Sequence, residues 1–326
     1  MSDLPPVPPL SDYLGIEDVG DLTALHRLTR YLHRHPTALD TLGVGKTMVL
    51  LFFNPSLRTR LSTQRAAQLL GMHVIVLNVG ESWQLEFEDG AVMQLDRAEH
   101  VREAAGVISQ YADVIGIRTF AGLSDRAADY RDQVIRAFQR HATVPVLSLE
   151  SATRHPLQGL ADWLTIDTHR RTARPRIVLS WAPHPKALPQ AVPNSFVRWM
   201  QTAAVDLIIA HPPGLELSPE IIGDTPVTSD QRAALEGADF VYAKNWSSYT
   251  DYGRIGTEYA HWIIDRQKMQ LGNNAQFMHC LPVRRNVVVS DAVLDSSASL
   301  VLRQAANRTV AAQAVIAGLL AGLPNQ

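Results

Sequence analysis

The stretch TMVLLFFNPSLRTR, residues 47–60, predicts a strand, a turn and the start of a helix in direct succession. Its first half is apolar on both faces, which is typical of a strand covered by helices on both sides. Ser56 is a favourable N-cap, and it would leave the amides of the first helical turn free to bind an anion. Taken alone, the segment is equally compatible with a surface helix whose arginines are only solvated.

The same alternation of strands and helices continues along the chain. Together with residues 47–53, apolar runs predict strands at 73–79, 113–118, 144–149, 176–182, 206–210, 238–243 and 276–280. Helical spacing predicts helices at 57–70, 97–111, 125–141, 156–168, 193–203, 229–236 and 302–321. This order predicts an α/β fold of parallel sheets flanked by helices, with right-handed crossovers.

A length of 326 residues allows two domains, each with its own core. The polar segment HRRTARPR, residues 169–176, lies between four predicted strands on each side. We therefore expect two units: a first domain of residues 1–150, to which a C-terminal helix at 303–326 returns, and a second domain of residues 151–302. In open α/β sheets ligands bind at the carboxyl ends of strands, so we expect the active site in the cleft between the domains.

Composition excludes several classes of protein. A formal net charge of −2 argues against a nucleic-acid partner, since phosphate-backbone binding needs a basic face. The single cysteine, Cys280, excludes an internal disulfide framework. The sequence has no apolar run of about 18 residues that could span a bilayer, and its N-terminus does not resemble a signal peptide. We expect a cytoplasmic protein that binds no membrane.

Polar and cationic residues follow the predicted strands at one edge of each sheet. In the first half, Arg118 ends a strand, Glu150 follows another, and His155 precedes a helix that begins at Pro156. A lone histidine is more often a structural hydrogen-bonding residue, but opposite an arginine-rich turn it becomes a candidate to polarise a carbonyl oxygen. The second half repeats the pattern with His184, Lys244, Asn245, Arg284 and Arg285.

Other kinds of site find little support. Cys280 could act as a nucleophile, but no base stands in a triad-like relation to it, and a small residue at a strand end is favoured. No local cluster has metal-ligand spacing, because His184, His211 and His279 lie in separate segments. Neither a phosphate-binding loop of the P-loop type nor a dinucleotide-binding glycine pattern is present.

Three segments, in order, resemble the transcarbamylase family: Ser56-Leu57-Arg58-Thr59-Arg60, His155-Pro156-Leu157-Gln158 and His279-Cys280-Leu281-Pro282. The resemblance extends from about residue 45 to residue 310. It implies a two-domain enzyme, usually a homotrimer, which binds carbamoyl phosphate in the first domain and an amine mostly through the second. It implies no cofactor, no metal and no covalent intermediate.

The resemblance also assigns roles by position. Arg58, Thr59, Arg118, His155 and Gln158 would be catalytic. Carbamoyl phosphate would contact Ser56, Leu57, Arg58, Thr59, Trp83, Arg118, His155, Gln158, Cys280, Leu281 and Arg308. Trp83 is similar to a residue that relatives lend to the neighbouring subunit's site. The amine substrate would contact Ala98, Glu150, His184, Lys244 and Arg284.

The second domain resembles the branch of the family that acts on N-acylated ornithine. It lacks the Asp-x-x-x-Ser-Met-Gly segment of ordinary ornithine enzymes and has WAPHPK, residues 181–186, in its place. Acetylornithine enzymes carry a glutamate, and succinylornithine enzymes a proline, at the position of Ala98. Alanine removes a carboxylate that would repel a succinyl group, so we expect carbamoyl transfer to N-succinylornithine in arginine biosynthesis. The alternatives are an acetylornithine enzyme and a non-catalytic phosphometabolite-binding protein of the same fold.

Overall fold

The computed structural model of the chain describes residues 4–79, 83–94 and 96–324. These residues form two compact units. The first unit comprises the described residues of Met1–Ala121, Ala127–Leu157 and Arg308–Gln326. The second comprises Gly122–Arg126 and Gln158–Asn307. Each unit therefore includes at least one segment that is distant in sequence from its main part.

Strands and helices alternate through both units. The strands are β1 (Thr47–Phe52), β2 (His73–Asn78), β3 (Leu85–Glu86), β4 (Glu99–His100), β5 (Val114–Arg118), β6 (Val146–Glu150), β7 (Arg176–Trp181), β8 (Asp206–Ala210), β9 (Val227–Thr228), β10 (Phe240–Lys244) and β11 (Gln276–Met278). The helices are α1 (Leu22–Arg34), α2 (Leu57–Leu69), α3 (Val101–Ile108), α4 (Arg126–Tyr130), α5 (Gln133–His141), α6 (Pro156–His169), α7 (Ala191–Gln201), α8 (Pro219–Ile222), α9 (Gln231–Leu235), α10 (Arg266–Met269), α11 (Asp291–Leu294) and α12 (Val301–Ala321). Short 3₁₀ helices cover Ile16–Asp18 and Thr257–Trp262.

The first unit is built on a parallel sheet with the strand order β2-β1-β5-β6. Strands β1 and β5 are buried, whereas the edge strand β2 is half-buried to exposed along its length. One face of the sheet packs on α3 and α5, with Leu51, Ile117, Ala105 and Phe138 in the same apolar cluster. Burial on both faces explains why β1 and β5 are almost continuously apolar in sequence.

The two chain termini pack on the first unit. The Tyr13 amide donates to the Val146 carbonyl and the Tyr13 carbonyl accepts from Ser148, so the N-terminal segment covers the edge strand β6. The end of α12 lies against the same segment, and a Cβ atom at Gly322 would lie 2.2 Å from the carbonyl oxygen of Leu10. Glycine is therefore required at this contact.

The second unit has its own parallel sheet, with the strand order β11-β10-β7-β8-β9. Its central strands β7 and β10 are buried over nearly their whole length. The predicted fold class, two α/β units with parallel sheets flanked by helices, is confirmed. Within each sheet the strands are parallel, so their carboxyl ends, and the polar residues that follow them, lie along one edge of that sheet.

Two predicted helices were wrong in their bounds. The helix expected at 97–111 begins only at Val101, because Glu99 and His100 pair with β3 as the short strand β4. The helix expected at 125–141 is divided into α4 and α5, because Asp132 adopts a left-handed backbone conformation with φ of 46°. Several further elements, namely α1, α8, α10, α11, β3, β4 and β9, were not predicted from the sequence.

Within the described residues, no helix is both long and apolar enough to cross a membrane.

Candidate active site

The first turn of α2 forms the anion-binding geometry expected from the sequence. Ser56 has an extended backbone, and its Oγ accepts a hydrogen bond from the Thr59 amide at 3.3 Å, so it caps the helix. Leu57 is exposed and Arg58 is half-buried, while Thr59 is buried. Amides at a capped helix start carry partial positive charge, which Arg58 reinforces.

Arg60, two residues further along α2, points elsewhere. Its guanidinium lies 4.7 Å from the centre of the Phe52 ring and donates a hydrogen bond to Asn78 at the end of β2. The two arginines of the quoted stretch therefore differ in their surroundings, and only Arg58 stays a candidate anion ligand.

Arg308 on α12 contacts two predicted site residues. Its Nη2 donates to Thr59 Oγ1 at 2.7 Å and lies 3.4 Å from Nε2 of His155. All three side chains are at least nine-tenths buried. The structure thus brings together Thr59, His155 and Arg308, which are widely separated in sequence.

The Arg118 guanidinium contacts two main-chain carbonyls and one carboxylate. One nitrogen, Nη1, donates to the carbonyls of Asn54 and Pro55 at 2.9 Å each, in the turn that precedes α2. The other, Nη2, forms a buried ion pair with Glu150 at 3.0 Å. Burial lowers the pKa of Arg118, and the charge of Glu150 opposes this shift. An arginine remains charged in such surroundings, so it is a fixed cation at the end of β5.

Glu150 has a structural partner that the sequence did not indicate. Its Oε2 contacts Arg118 and also lies 3.5 Å from Nε2 of His155, and Glu150 is itself buried. The family resemblance implies only a contact between this carboxylate and the amine substrate. Its geometry shows that it also orients two of the predicted catalytic side chains.

Asp132 fixes the loop that leads to His155. Its carboxylate accepts hydrogen bonds from Ser151 Oγ at 3.0 Å, from the Ala152 amide at 2.9 Å and from the Thr153 hydroxyl. Burial raises the pKa of Asp132, while these three hydrogen bonds lower it. Sequence reasoning missed this residue, because nothing local links position 132 to the loop at 151–153.

Trp83 and Ala98 lie in the insertion between β2 and α3. The Trp83 ring packs against the first unit's apolar cluster, and its Nε1 donates to Glu99 at 3.0 Å. Ala98 is exposed, and its amide donates to the Gln84 carbonyl at 3.0 Å. Ala98 therefore precedes β4. The sequence had predicted it near the start of the following helix, which was wrong.

In the second unit, Gln158 on α6 is almost completely buried. The side-chain nitrogen of Gln158 donates to Oδ1 of Asp162, which lies one helical turn further along α6, at 2.7 Å. Cys280 and Leu281 lie two and three residues after the end of β11, and the Leu281 amide donates to Nδ1 of His279 at 2.8 Å. Leu281 has a left-handed φ of 55°, which turns the chain sharply after the strand.

Three basic side chains lie at or beyond the ends of strands in the second unit. Arg284 Nε donates to His184 Nε2 at 3.1 Å, and His184 Nδ1 lies 2.8 Å from the Lys186 carbonyl. Lys244 is buried and donates to the Asn245 carbonyl at 2.7 Å. Burial lowers the pKa of His184, and the charges of Lys244, Arg284 and Lys186 lower it further. A neutral His184 can accept from Arg284, so the contact requires the uncharged imidazole.

Arg285 has a different environment from Arg284. It pairs with Asp291 at 2.8 Å and with Asp295 at 2.6 Å, and all three side chains are exposed. These carboxylates raise the pKa of Arg285 above its ordinary value. These two ion pairs link the loop after β11 to the two ends of α11. No group of three or more histidine, cysteine, aspartate or glutamate side chains in the described part of the chain is arranged as a metal site.

Comparison with known proteins identifies the family of the chain. Residues 12–168 match the carbamoyl-phosphate-binding domain of aspartate/ornithine carbamoyltransferases, and residues 189–319 match the aspartate/ornithine-binding domain. The chain belongs to the aspartate/ornithine carbamoyltransferase family. Like the other members of this family, it is a carbamoyltransferase enzyme.

The carbamoyltransferase is most informatively compared with three relatives. It is 47% identical over 318 residues to the N-succinylornithine carbamoyltransferase of Bacteroides fragilis (strain 638R), covering 97% of this chain and 100% of the relative. It is 39% identical over 306 residues to the N-acetylornithine carbamoyltransferase of Xanthomonas axonopodis pv. citri (strain 306), covering 86% and 89%. A solved N-acetyl-L-ornithine transcarbamylase, with one glutamate replaced by alanine, is complexed with carbamyl phosphate and N-succinyl-L-norvaline. It has a TM-score of 0.89 and 36% identity, covering 95% of this chain and 100% of that one.

Proposed function

We propose that the enzyme transfers the carbamoyl group of carbamoyl phosphate to the side-chain amine of N-succinyl-L-ornithine. The products are N-succinyl-L-citrulline and phosphate. The observation that carries the proposal is the buried cluster of Thr59, Arg118, His155 and Arg308 beside the capped start of α2. Such a cluster supplies fixed donors for a phosphate and for an oxyanion at adjacent positions.

The phosphate group would bind at the start of α2. Its oxygens would accept hydrogen bonds from the amides of Leu57, Arg58 and Thr59, and the Arg58 guanidinium would pair with the phosphate through two hydrogen bonds. Arg308 would add a second permanent positive charge from α12. Because the leaving group is an anion, the same contacts stabilise it as it departs.

The carbamoyl carbonyl would lie against Thr59, Arg118 and His155. A neutral amine attacks the carbamoyl carbon, a new C–N bond forms, and the carbonyl oxygen becomes an oxyanion. The C–O bond to phosphate then breaks, and the surplus proton of the amine passes to the departing phosphate. The three donors stabilise the oxyanion, and Glu150 holds Arg118 and His155 in position for it.

The amine substrate would be bound by His184, Lys244 and Arg284, with main-chain contacts from Cys280 and Leu281 to the carbamoyl group. Two cations suit an acylated ornithine, which carries its α-carboxylate but has no positive charge on the acylated nitrogen. A succinyl chain adds a second carboxylate.

The preference for succinyl rests on Ala98. We infer that Ala98 occupies the place of the glutamate that is replaced in the solved acetylornithine enzyme complexed with N-succinyl-L-norvaline. Without a carboxylate at this position, a succinyl carboxylate meets no like charge. N-Acetyl-L-ornithine is the second candidate, because relatives at 39% identity act on it by name.

A homotrimer in the cytoplasm is part of the same proposal. Leu57 and Leu61 on α2, and Ile75 and Leu77 on the edge strand β2, are large apolar side chains that a single chain leaves exposed. A subunit contact here would cover them. Mixing Arg58→Ala and Trp83→Ala variants tests whether Trp83 completes a neighbouring site. Mixed oligomers would regain activity if it does, and would stay inactive if each subunit works alone.

The decisive assay for the activity is product identification by mass spectrometry. The enzyme is supplied with carbamoyl phosphate and, in separate tubes, with N-succinylornithine, N-acetylornithine or ornithine, and phosphate release is followed in parallel. We expect N-succinylcitrulline and an equal amount of phosphate. Failure of both acylated amines to react would refute the proposal, whereas reaction of acetylornithine alone would overturn only the acyl group.

A further inference from the structure

A buried carboxylate, Asp162, joins segments of the second unit that are far apart in sequence. It lies on α6, one turn after Gln158, and no part of it is exposed. Its Oδ1 accepts hydrogen bonds from Gln158 at 2.7 Å and from Gln304 on α12 at 2.6 Å. A fully buried carboxylate is costly unless it is well hydrogen-bonded, so its presence calls for a physical reason.

The direction of these hydrogen bonds is determined by a main-chain group. The His279 amide, which can only donate, bonds to the side-chain oxygen of Gln304 at 3.0 Å. The other end of the Gln304 amide is therefore its NH₂ group, which donates to Asp162 Oδ1. Because that oxygen accepts from Gln304, Gln158 must also present its NH₂ group there.

This orientation leaves the carbonyl oxygen of Gln158 facing away from Asp162. The oxygen is buried, and it has no hydrogen-bond partner among the residues that the structure describes. A buried acceptor without a partner is costly in a folded protein, so a ligand that donates a hydrogen bond would be favoured at this point. Among the groups of carbamoyl phosphate, only the carbamoyl NH₂ is such a donor.

We propose that Asp162 is a positioning residue, which holds the Gln158 amide with its oxygen toward the substrate so that the site accepts a carbamoyl NH₂. This inference rests on the proposed function. It assigns to Asp162 and Gln304 a role in selecting the donor substrate, whereas Gln158 makes the contact. If the Gln158 amide were rotated by half a turn, its NH₂ group would face the carbamoyl NH₂ group. Two donors would then meet, which would weaken binding.

The matched ligand for a test is acetyl phosphate, in which a methyl group replaces the carbamoyl NH₂. Inorganic phosphate, which lacks both groups, is the second comparison. We expect the wild-type protein to bind carbamoyl phosphate more tightly than acetyl phosphate by about 10-fold or more, the effect of one hydrogen bond to a buried group. The binding measurement does not require turnover, so it remains informative if the proposed amine is wrong.

The test variant is Asp162→Leu, which keeps the branched shape of the side chain but replaces both acceptor oxygens with methyl groups. We expect it to lose the preference for carbamoyl over acetyl phosphate, while its affinity for acetyl phosphate and for phosphate stays within about twofold. Asp162→Asn should retain most of the preference, because its amide oxygen can still accept from both glutamines. If Asp162→Leu fails to fold, Asp162→Ser serves instead, since the shorter side chain no longer reaches Gln158.

The control variant is Thr165→Val. Thr165 lies one turn further along α6 and accepts a buried hydrogen bond from Asn307 at 2.9 Å, so its loss perturbs the same pair of helices without touching Gln158. It should lower stability and leave the ligand preference unchanged. A Gln158→Met background completes the test, because Asp162→Leu should then cause no further loss of preference. An equal loss of affinity for all three ligands, an unchanged preference, or an additive effect in that background would each overturn the proposal.

Discussion

The candidate residues of the first unit and those of the second hold their charges in different ways. In the first unit, Arg118 is paired with Glu150 and Arg308 donates to Thr59, so each cation has a fixed partner before any ligand binds. In the second unit, His184 lies near Lys244, Lys186 and Arg284. Burial lowers the pKa of His184, and the three positive charges lower it further. The first arrangement fixes the positions of its cations, and the second gives a positive field, which would suit the anionic amine substrate proposed above.

The largest effect is expected at Arg58, where the first unit should be most sensitive. Arg58→Ala removes the charged donor proposed for the leaving phosphate, and kcat/KM should fall by about 10³-fold or more without unfolding. Arg60→Ala is the control on the same helix, because Arg60 contacts Phe52 and Asn78. Steady-state kinetics and circular dichroism check both variants. If Arg58→Ala and Arg60→Ala gave similar kinetics, the assignment of phosphate binding to Arg58 and not to Arg60 would be wrong.

The fixed pairing of the first unit predicts a large effect on stability. Glu150→Gln leaves the buried Arg118 charge without its counter-charge, and the free energy of unfolding should fall by ~3–5 kcal/mol. Glu17→Gln breaks a more exposed ion pair with Arg154 at 2.8 Å and should cost less than about 1 kcal/mol. Urea denaturation measures both. Equal losses of unfolding free energy in the two variants would show that the buried ion pair contributes no more to stability than the exposed one.

A smaller, selective effect is expected at Ala98. Ala98→Glu places a negative charge where the succinyl carboxylate is proposed to bind, so kcat/KM for N-succinylornithine should fall by about 10-fold or more. The value for N-acetylornithine should stay the same or rise. Ala173→Glu adds the same charge at an exposed position of the second unit and should change neither. A uniform loss for both substrates would point to a structural effect.

The smallest effect concerns pH and the second unit. His184 has a lowered pKa, so it remains neutral at pH 7 and accepts from Arg284. As the pH falls below the ordinary histidine value, the unfolded chain takes up the proton first, and stability declines. Below the lowered pKa, the folded protein is protonated too, and the contact with Arg284 is lost.

The attacking amine must be neutral, so the apparent KM for the acylornithine falls with rising pH whether or not His184 titrates. The effect of His184 itself is expected below its lowered pKa, where the wild-type KM should exceed that of a variant without a titrating side chain by about 2- to 5-fold. His184→Gln can still accept from Arg284 but does not titrate, so its KM should vary less with pH. A KM profile that is identical in the variant would exclude His184 as its cause.

The parts of this structure that depend on local geometry were predictable. The cap at Ser56 follows from residue type and helix position, and the strand ends follow from apolar runs. Glu150 was recognised, but its pairing with Arg118 depends on the neighbouring strands β5 and β6.

Contacts between distant segments were not predictable from one sequence. Asp162 and Gln304 are far apart in the chain, and nothing near either residue indicates that they meet. Arg284 and Arg285 are adjacent and chemically identical, yet one donates to His184 and the other pairs with Asp291 and Asp295. The short β3–β4 ladder likewise replaced a predicted helix start, because tertiary pairing outweighed helix propensity.

The most direct test of the central claim is a competition assay. Wild-type enzyme is given equimolar N-succinylornithine, N-acetylornithine and ornithine with limiting carbamoyl phosphate, and the three products are quantified early in the reaction. Their ratio equals the ratio of the kcat/KM values. We expect N-succinylcitrulline to exceed N-acetylcitrulline by about 10-fold or more, with little citrulline. A majority of N-acetylcitrulline or of citrulline would contradict the account.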